Sequence, residues 1–266
     1  MKPSWTVWRR LSQGAVALGF IAVPLLNAKG RTAISGNLLS LDFFGLTLVD
    51  PLAFLQTLAG GPPAGRAALG AAIIVLIALM LGRVFCGWLC PYGLASELVF
   101  AARGRRPKTG DRRVRPPAVR YAVAGAGLMA VFLFLPEPWL NQLSMPGWYS
   151  RALQLALFSG ALPLGAFIFP TLLLLEALGG SRFWCRYLCP QSVCLALAAR
   201  CLPGGFGIKW APGPCACPRE ARPCQKACSL GLSPRQKGGP PRGECFQCAD
   251  CVEACAKHGA ALRLGL

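Results

Sequence analysis

Fourteen cysteines stand in this chain of 266 residues, and their spacing sorts them by chemistry. Cys245-x2-Cys248-x2-Cys251-x3-Cys255 is the pitch of a 4Fe–4S ligand run. Three thiolates from one tight turn hold a cubane, and the fourth reaches to the other cluster in two-cluster domains. Zinc suits this pitch poorly, because structural zinc takes two Cys-x2-Cys knuckles. An upstream group, Cys215-x-Cys217-x6-Cys224-x3-Cys228, keeps the Cys-x3-Cys end behind a rearranged front. Under the cross-over rule Cys228 completes the set of Cys245, Cys248 and Cys251. Cys215, Cys217, Cys224 and Cys255 then hold a second cluster; a single cluster, or an altered second one, stays open. Ser229 and Ala256 stand where proline usually follows the last cysteine.

Four more cysteines belong to a repeated nonamer. Arg83-Val84-Phe85-Cys86-Gly87-Trp88-Leu89-Cys90-Pro91 returns as Arg182-Phe183-Trp184-Cys185-Arg186-Tyr187-Leu188-Cys189-Pro190. Arginine, aromatics, Leu, both cysteines and Pro keep their offsets. On a helix, Cys86 and Cys90 share a face, as do Cys185 and Cys189, and Pro91 and Pro190 mark a local stop or a helix start. Four such thiolates suit a metal, a cluster or a dithiol cycle, and the sequence leaves all three open. Cys194 and Cys201 follow without a partner pattern and read as packing thiols.

The elements that position these groups are apolar runs. Hydrophobic residues make up 54% of the chain and charged ones 14%, against roughly 25% charged in soluble domains. Four runs predict membrane spans: Leu11–Ala28, Ala67–Phe85, Ala118–Leu135 and Ala152–Leu178. A signal peptide ending at Leu26-Asn27-Ala28 is the bland alternative for the first, and a retained helix keeps the two motifs on equal footing. Residues 29–65 are too interrupted to span and too apolar for a free loop, which predicts an interfacial or re-entrant segment. Trp139, Trp148 and Tyr149, in a loop over Pro136–Arg151, are the rings expected at a membrane–water boundary.

The net charge of +18 does not indicate nucleic acid, because the basic residues lie between and beyond the apolar runs. Of 28 Lys and Arg, 24 fall at the N-terminus, at Arg83, in the 101–120 loop and from Arg182 onward. Positive-inside places both termini, both motifs and every cysteine in the cytoplasm. No cysteine falls in the two outer loops, as a secreted disulfide framework would require. The expected fold is an all-α membrane domain over 1–202, with four helices in two parallel repeats, about 1–100 and 101–202. A Pro/Gly linker over 203–214 leads to a small α+β ferredoxin-like domain over 215–266.

Absences narrow the chemistry. The single histidine, His258, excludes a bis-histidine haem between the helices. No dinucleotide fingerprint or P-loop signals a nucleotide cofactor. Quinol oxidation needs proton acceptors near the membrane, and the acids placed there are Asp42, Asp50 and Glu137 outside and Glu97 and Glu176 inside. Asp42 and Asp50 are the quinol and proton candidates; an interfacial carboxylate is the bland reading of each.

With these parts assembled, the whole chain resembles the NapH/MauN family of membrane ferredoxin-type proteins. Ser35-Gly36-Asn37 and Asp50-Pro51-Leu52 look like that family's outer segment, and the related NosR and CcoG types share the twin Cys-x3-Cys-Pro motif. The resemblance implies an inner-membrane electron-transfer protein. NapH-type members take electrons from quinol and pass them, through partner ferredoxin and c-type cytochrome subunits, to a periplasmic oxidoreductase; MauN-type members serve methylamine utilisation. The rearranged Cys215–Cys217 front departs from the family pattern. Two other readings are carried beside this one. In the first, an accessory protein uses the twin motif to reduce a metal or disulfide in a maturing metalloenzyme. In the second, the membrane part merely anchors the tail.

Overall fold

The computed structural model describes residues 4–28, 34–60, 65–102, 121, 126, 144–160, 164–180, 182–202, 204–211, 213, 215–217 and 222–265. Helix α1, Trp5–Ala28, has 24 residues and rises about 36 Å. Among the described residues it is the one helix long and apolar enough to cross a membrane. Its sides are sorted inside out: Arg9 and Gln13, one turn apart, are buried, whereas Trp8, Leu11 and Leu18 are exposed.

The next segment turns back on itself as a three-stranded antiparallel meander, β1 (Ile34–Asn37), β2 (Ser40–Phe43) and β3 (Leu46–Val49). Turn chemistry builds it. Asn37 Oδ1 accepts the N–H groups of Leu39 and Ser40, and Asp42 Oδ1 accepts that of Gly45. The all-α expectation is corrected here: short turn-defined strands leave no long apolar run to count. Asp50 then caps α2 (Pro51–Gly60), its Oδ2 accepting the Leu52 and Ala53 N–H groups ahead of Pro51.

Helix α3, Gly65–Leu81, packs along β3 and stops where Gly82 takes a left-handed φ of 72°. The first motif follows as α4 (Val84–Trp88), and Pro91 opens α5 (Pro91–Ala102). The third run, Ala118–Leu135, lies outside the described residues except for Tyr121 and Ala126, as do Glu137 and Trp139.

The fourth run is not one helix. Residues expected in the outer loop begin α6 (Met145–Phe158), Gly160 turns left-handed at φ 64°, and a 3₁₀ turn over Leu164–Phe167 leads into α7 (Ile168–Gly179). Trp148 and Tyr149 also turn inward. Trp148 packs on the cluster of Cys90, Tyr92, Met145 and Leu172, and the Tyr149 hydroxyl donates to Ala17 O. On α3 and α7, Leu69, Leu76, Leu174 and Leu178 stay exposed.

After the second motif comes α8, Pro190–Cys201. Part of the expected linker is a strand: β4 (Gly207–Trp210) pairs antiparallel with β5 (Leu262–Gly265), with Gly207 opposite Gly265. With α9 (Pro223–Ala227) and α10 (Asp250–Ala256) these make the α+β tail. Its core is Ile208, Leu230, Leu232, Phe246 and Leu262 around buried cysteines. Arg242 ties tail to helices, donating to Leu79 O and Met80 O at the end of α3 and to Ala199 O near the end of α8. Those carbonyls are helix-end acceptors without helical donors.

Candidate iron–sulfur and redox site

The two nonamers share a backbone device. Cys90 N–H donates to Phe85 O at 3.0 Å, and Cys189 N–H donates to Trp184 O at 2.9 Å, each closing a turn one residue wider than an α-helical one. Such π-type turns gather at functional sites. The two cysteines of each pair therefore sit on a wide turn, not on a continuous helical face, and the following proline starts a new helix.

Each motif arginine reaches into the other repeat. Arg182 Nη2 donates to Gly93 O at 2.7 Å and its Nε to Ser96 Oγ at 2.9 Å. Arg83 Nη2 donates to Cys185 O at 3.0 Å and to the hydroxyl of Ser192. Gly93 and Ser192 hold the same place in the two copies, three residues past the second cysteine. The exchange is reciprocal, as a two-fold relation between the repeats requires. Both guanidiniums are buried, at 0% and 4% exposure, and both also grip the tail. Arg83 donates to Gly243 O at 3.3 Å and lies 4.4 Å from the Phe246 ring centre, and Arg182 donates to Ser229 Oγ at 3.3 Å.

Around these braces the four motif thiols converge. Electrostatic interaction joins Cys90 to Cys86, Cys185 and Cys189, and Cys189 to Cys86 and Cys185. The same pattern joins Cys228 to Cys245, Cys248 and Cys251. Those four line one small enclosed cavity together with Ile208, Leu230 and Phe246. Backbone N–H groups already point at sulfur there: Gln247 N–H to Cys245 Sγ and Leu232 N–H to Cys228 Sγ, each 3.3 Å. Left-handed φ at Gln247 (56°) and Ala249 (62°) folds the loop tightly. Burial pushes the Cys245 thiol up to about 12 and raises Cys248 and Cys251. Such thiols lose their protons to a metal. The donor set, the enclosing apolar wall and the amide–sulfur bonds fit a 4Fe–4S cluster.

The second tail set is looser. Cys217 interacts with Cys215 and Cys255, and Arg235 lies beside Cys215, Cys217 and Cys224, bonded to the last. The Cys217 N–H, with Arg235 beyond it, holds the Cys215 thiol below its ordinary value. Among the described residues no three Cys, His, Asp or Glu approach as closely as a single metal ion requires. None of the fourteen cysteines is in a disulfide. Cys194 lies near Asp50, and Cys201 is exposed.

Above the first motif lies an apolar cavity of about 430 Å³ between α1, the meander, α3 and α8. Phe85 and Leu89, neighbours of Cys86 and Cys90, form part of its wall, and Asp50 and Gln191 supply a polar end. Gln191 Nε2 donates to Asp50 Oδ1 at 3.0 Å. Burial pushes the Asp50 carboxyl up to about 6, and the bonds from Gln191, Ala53 N–H and Leu52 N–H hold it from rising further. Asp42 is not in this wall; it is committed to its turn, accepting also from Thr47 Oγ1. Glu97 pairs with Arg9 and, at 3.7 Å, with Arg182. Glu176 accepts the Trp184 N–H at 2.9 Å and the Ser96 hydroxyl at 3.2 Å.

The repetition of Arg83 and Arg182 is legible in the sequence, but their bonding partners are not. Nor does the sequence mark Gln191, Trp88, which donates to Gln247 O at 3.1 Å, or Gln13, which donates to Gly87 O at 2.9 Å. Their partners are distant in the chain, and no short pattern marks them.

Cysteine sets with apolar walls, fused to braced helices, define a ferredoxin-type 4Fe–4S electron-transfer protein. Residues 64–109 and 161–209, each holding one of the nonamers, match a family model described as a 4Fe-4S binding domain. The ferredoxin-type protein NapH of Escherichia coli is 30% identical over 95% of this chain and 87% of its own length. The methylamine utilization ferredoxin-type protein MauN of Methylorubrum extorquens is 38% identical over 70% of this chain, which spans 62% of that relative. Protein NirI of Paracoccus denitrificans is 32% identical over 92% of this chain and 34% of its own length. The chain belongs to the NapH/MauN family of ferredoxin-type proteins. No solved structure matches it.

Proposed function

We propose that this protein is the quinol-oxidising membrane subunit of an electron-transfer chain. The cavity beside the first motif carries the reading. It has the size and apolar wall of a small-ligand site, and its few polar groups, among them Asp50 and Gln191, gather at one end. A quinone ring with an isoprenoid tail matches that division. Oxidation of one quinol releases two electrons and two protons. Asp50 accepts the two ring hydroxyl protons in turn, passing the first to solvent before it takes the second, Gln191 orients the carboxylate, and the electrons leave singly past the motif toward the tail. Bound 4Fe–4S clusters would supply the one-electron acceptors; Cys228, Cys245, Cys248 and Cys251 would hold one, and Cys215, Cys217, Cys224 and Cys255 the other.

The membrane placement is four spans with both termini and all clusters in the cytoplasm of a bacterial inner membrane. The buried Arg9 and Gln13 against outward Trp8, Leu11 and Leu18 support it, because helices in lipid turn polar groups inward. The meander supports a re-entrant segment, since Asp50 at its end touches Gln191 just past the second motif. Electrons then pass to a partner ferredoxin and, through a c-type cytochrome, to a periplasmic oxidoreductase. The test uses anaerobically purified full-length protein mixed with reduced ubiquinone and menaquinone analogues. Bleaching of the broad iron–sulfur absorbance by either one is expected; no bleaching by both, in protein that dithionite does reduce, refutes the reading.

A further inference from the structure

We propose that Cys86, Cys90, Cys185 and Cys189 together bind one 4Fe–4S cluster, shared between the two repeats and additional to those of the tail. The first matched repeat holds two cysteines, Cys86 and Cys90, too few for a cubane. In the second, Cys185 and Cys189 are accompanied only by Cys194, near Asp50, and the exposed Cys201. Neither stretch alone brings four thiols together; the four motif thiols converge where the two copies meet, and the crossed bonds of Arg83 and Arg182 hold them there.

Three chemistries compete for this site, and spacing, burial and charge choose among them. A single zinc ion draws its sulfurs to about 2.3 Å from one centre, and no described group is that tight. The motif quartet instead repeats the arrangement of Cys228, Cys245, Cys248 and Cys251, with mutual reach but no single-ion geometry. Dithiol cycling needs an accessible thiolate with a partner thiol that can follow it; Cys86 and Cys185 are half-buried, and their partners Cys90 and Cys189 are 7% exposed. An oxidised 4Fe–4S core with four thiolates is a dianion, and although Glu176 and Asp50 also face these thiols, two buried guanidiniums, Arg83 beside Cys189 and Arg182 beside Cys185, stand against that charge. They also satisfy the carbonyls of the surrounding turns, so each charge is paired and hydrogen-bonded.

The site also lies in a path. Phe85 and Leu89 line the apolar cavity on one side. On the other, Cys86 and Cys185 pack against the tail core that holds Cys245 and Cys251. Binding costs the four thiols their protons and supplies a one-electron relay with no bond change in the chain. Cluster binding stands apart from the quinol reading; only the identity of the electron donor rests on it.

Full-length protein purified without oxygen tests this by iron, acid-labile sulfide and zinc per chain. Replacing Cys90 and Cys189 by Ala is expected to remove about 4 iron and about 4 sulfide while the tail's EPR signals persist. Cys194→Ala removes none. Unchanged iron and sulfide in the paired variant overturns the proposal, as does loss of a single metal without sulfide. Should that variant not accumulate, the reciprocal one decides, with Cys217→Ala and Cys248→Ala in the tail. Iron and sulfide that stay bound in equal amounts support the shared site, and their complete loss overturns it. Quinol that fails to reduce a chain of full iron content refutes the donor assignment and leaves this site standing.

Discussion

Asp50→Asn separates a working carboxylate from a structural one. The group is buried, and its carboxyl is pushed from an ordinary 3.8 up to about 6. Keeping it ionised above pH 6 therefore costs the fold about 3 kcal/mol, a penalty absent below its unfolded value. Asparagine removes that penalty, still caps α2 about as well as aspartate, and still accepts from Gln191. The variant is expected to be no less thermally stable than wild type at pH 7.5, and more stable if the full penalty is recovered. Activity goes the other way. A base must be ionised, so wild-type quinol-driven cluster reduction falls about ninefold from pH 7 to pH 5, as the ionised share drops from roughly 90% to roughly 10%. An unshifted aspartate would leave the rate nearly flat across that range. At pH 7.5 the variant is expected to be slower by about 10²-fold or more. Stopped-flow bleaching of the cluster absorbance under quinol, with dithionite-reducible clusters as the loading control, measures both. A flat profile down to pH 5, with variant rates within about threefold of wild type, refutes the assignment of Asp50 as proton acceptor.

Arg9→Gln leaves Glu97 and Asp250 without their buried partner. Breaking such a pair costs about 3–5 kcal/mol, so the melting temperature in detergent should fall by several degrees, and an unchanged melt would show the pair to be solvated. Gly87→Ala sets a Cβ at 2.4 Å from Phe246 O, a backbone atom that cannot give way cheaply. The tail should loosen from the first motif and become sensitive to limited proteolysis at the 203–214 stretch, with wild-type resistance counting against the docking described.

What was legible in the sequence is what residue type and spacing carry. Cys228 was assigned to Cys245, Cys248 and Cys251 by a counting rule, and those residues do line one cavity. The α+β tail was legible for the same reason, though β4 was hidden in a Pro/Gly-rich stretch because its partner β5 closes the chain. Counting apolar residues failed at Ala152–Leu178, where composition is continuous but Gly160 breaks the helix. It also passed over the meander, whose strands of four residues are set by Asn37 and Asp42 turns. Arg83 was visible as a repeated letter, yet its partners lie 102 to 161 residues away. Asp50 and Asp42 stand level as candidates in the sequence, and it is the bond from Gln191 and the cavity wall that set Asp50 apart.

The crossed arginines also set a timetable for biogenesis. Arg83 enters its place early in synthesis, but two of its acceptors, Gly243 O and Glu244 O, are made 160 and 161 residues later. At 5–20 residues per second the ribosome needs roughly ten to thirty seconds to deliver them. Through that interval the first repeat carries a cation and two thiols with their final partners not yet made. Thiols that still lack their final partners are open to oxidation and to stray metal. A cluster held by Cys228, Cys245, Cys248 and Cys251 together cannot be completed before residue 251 has been made.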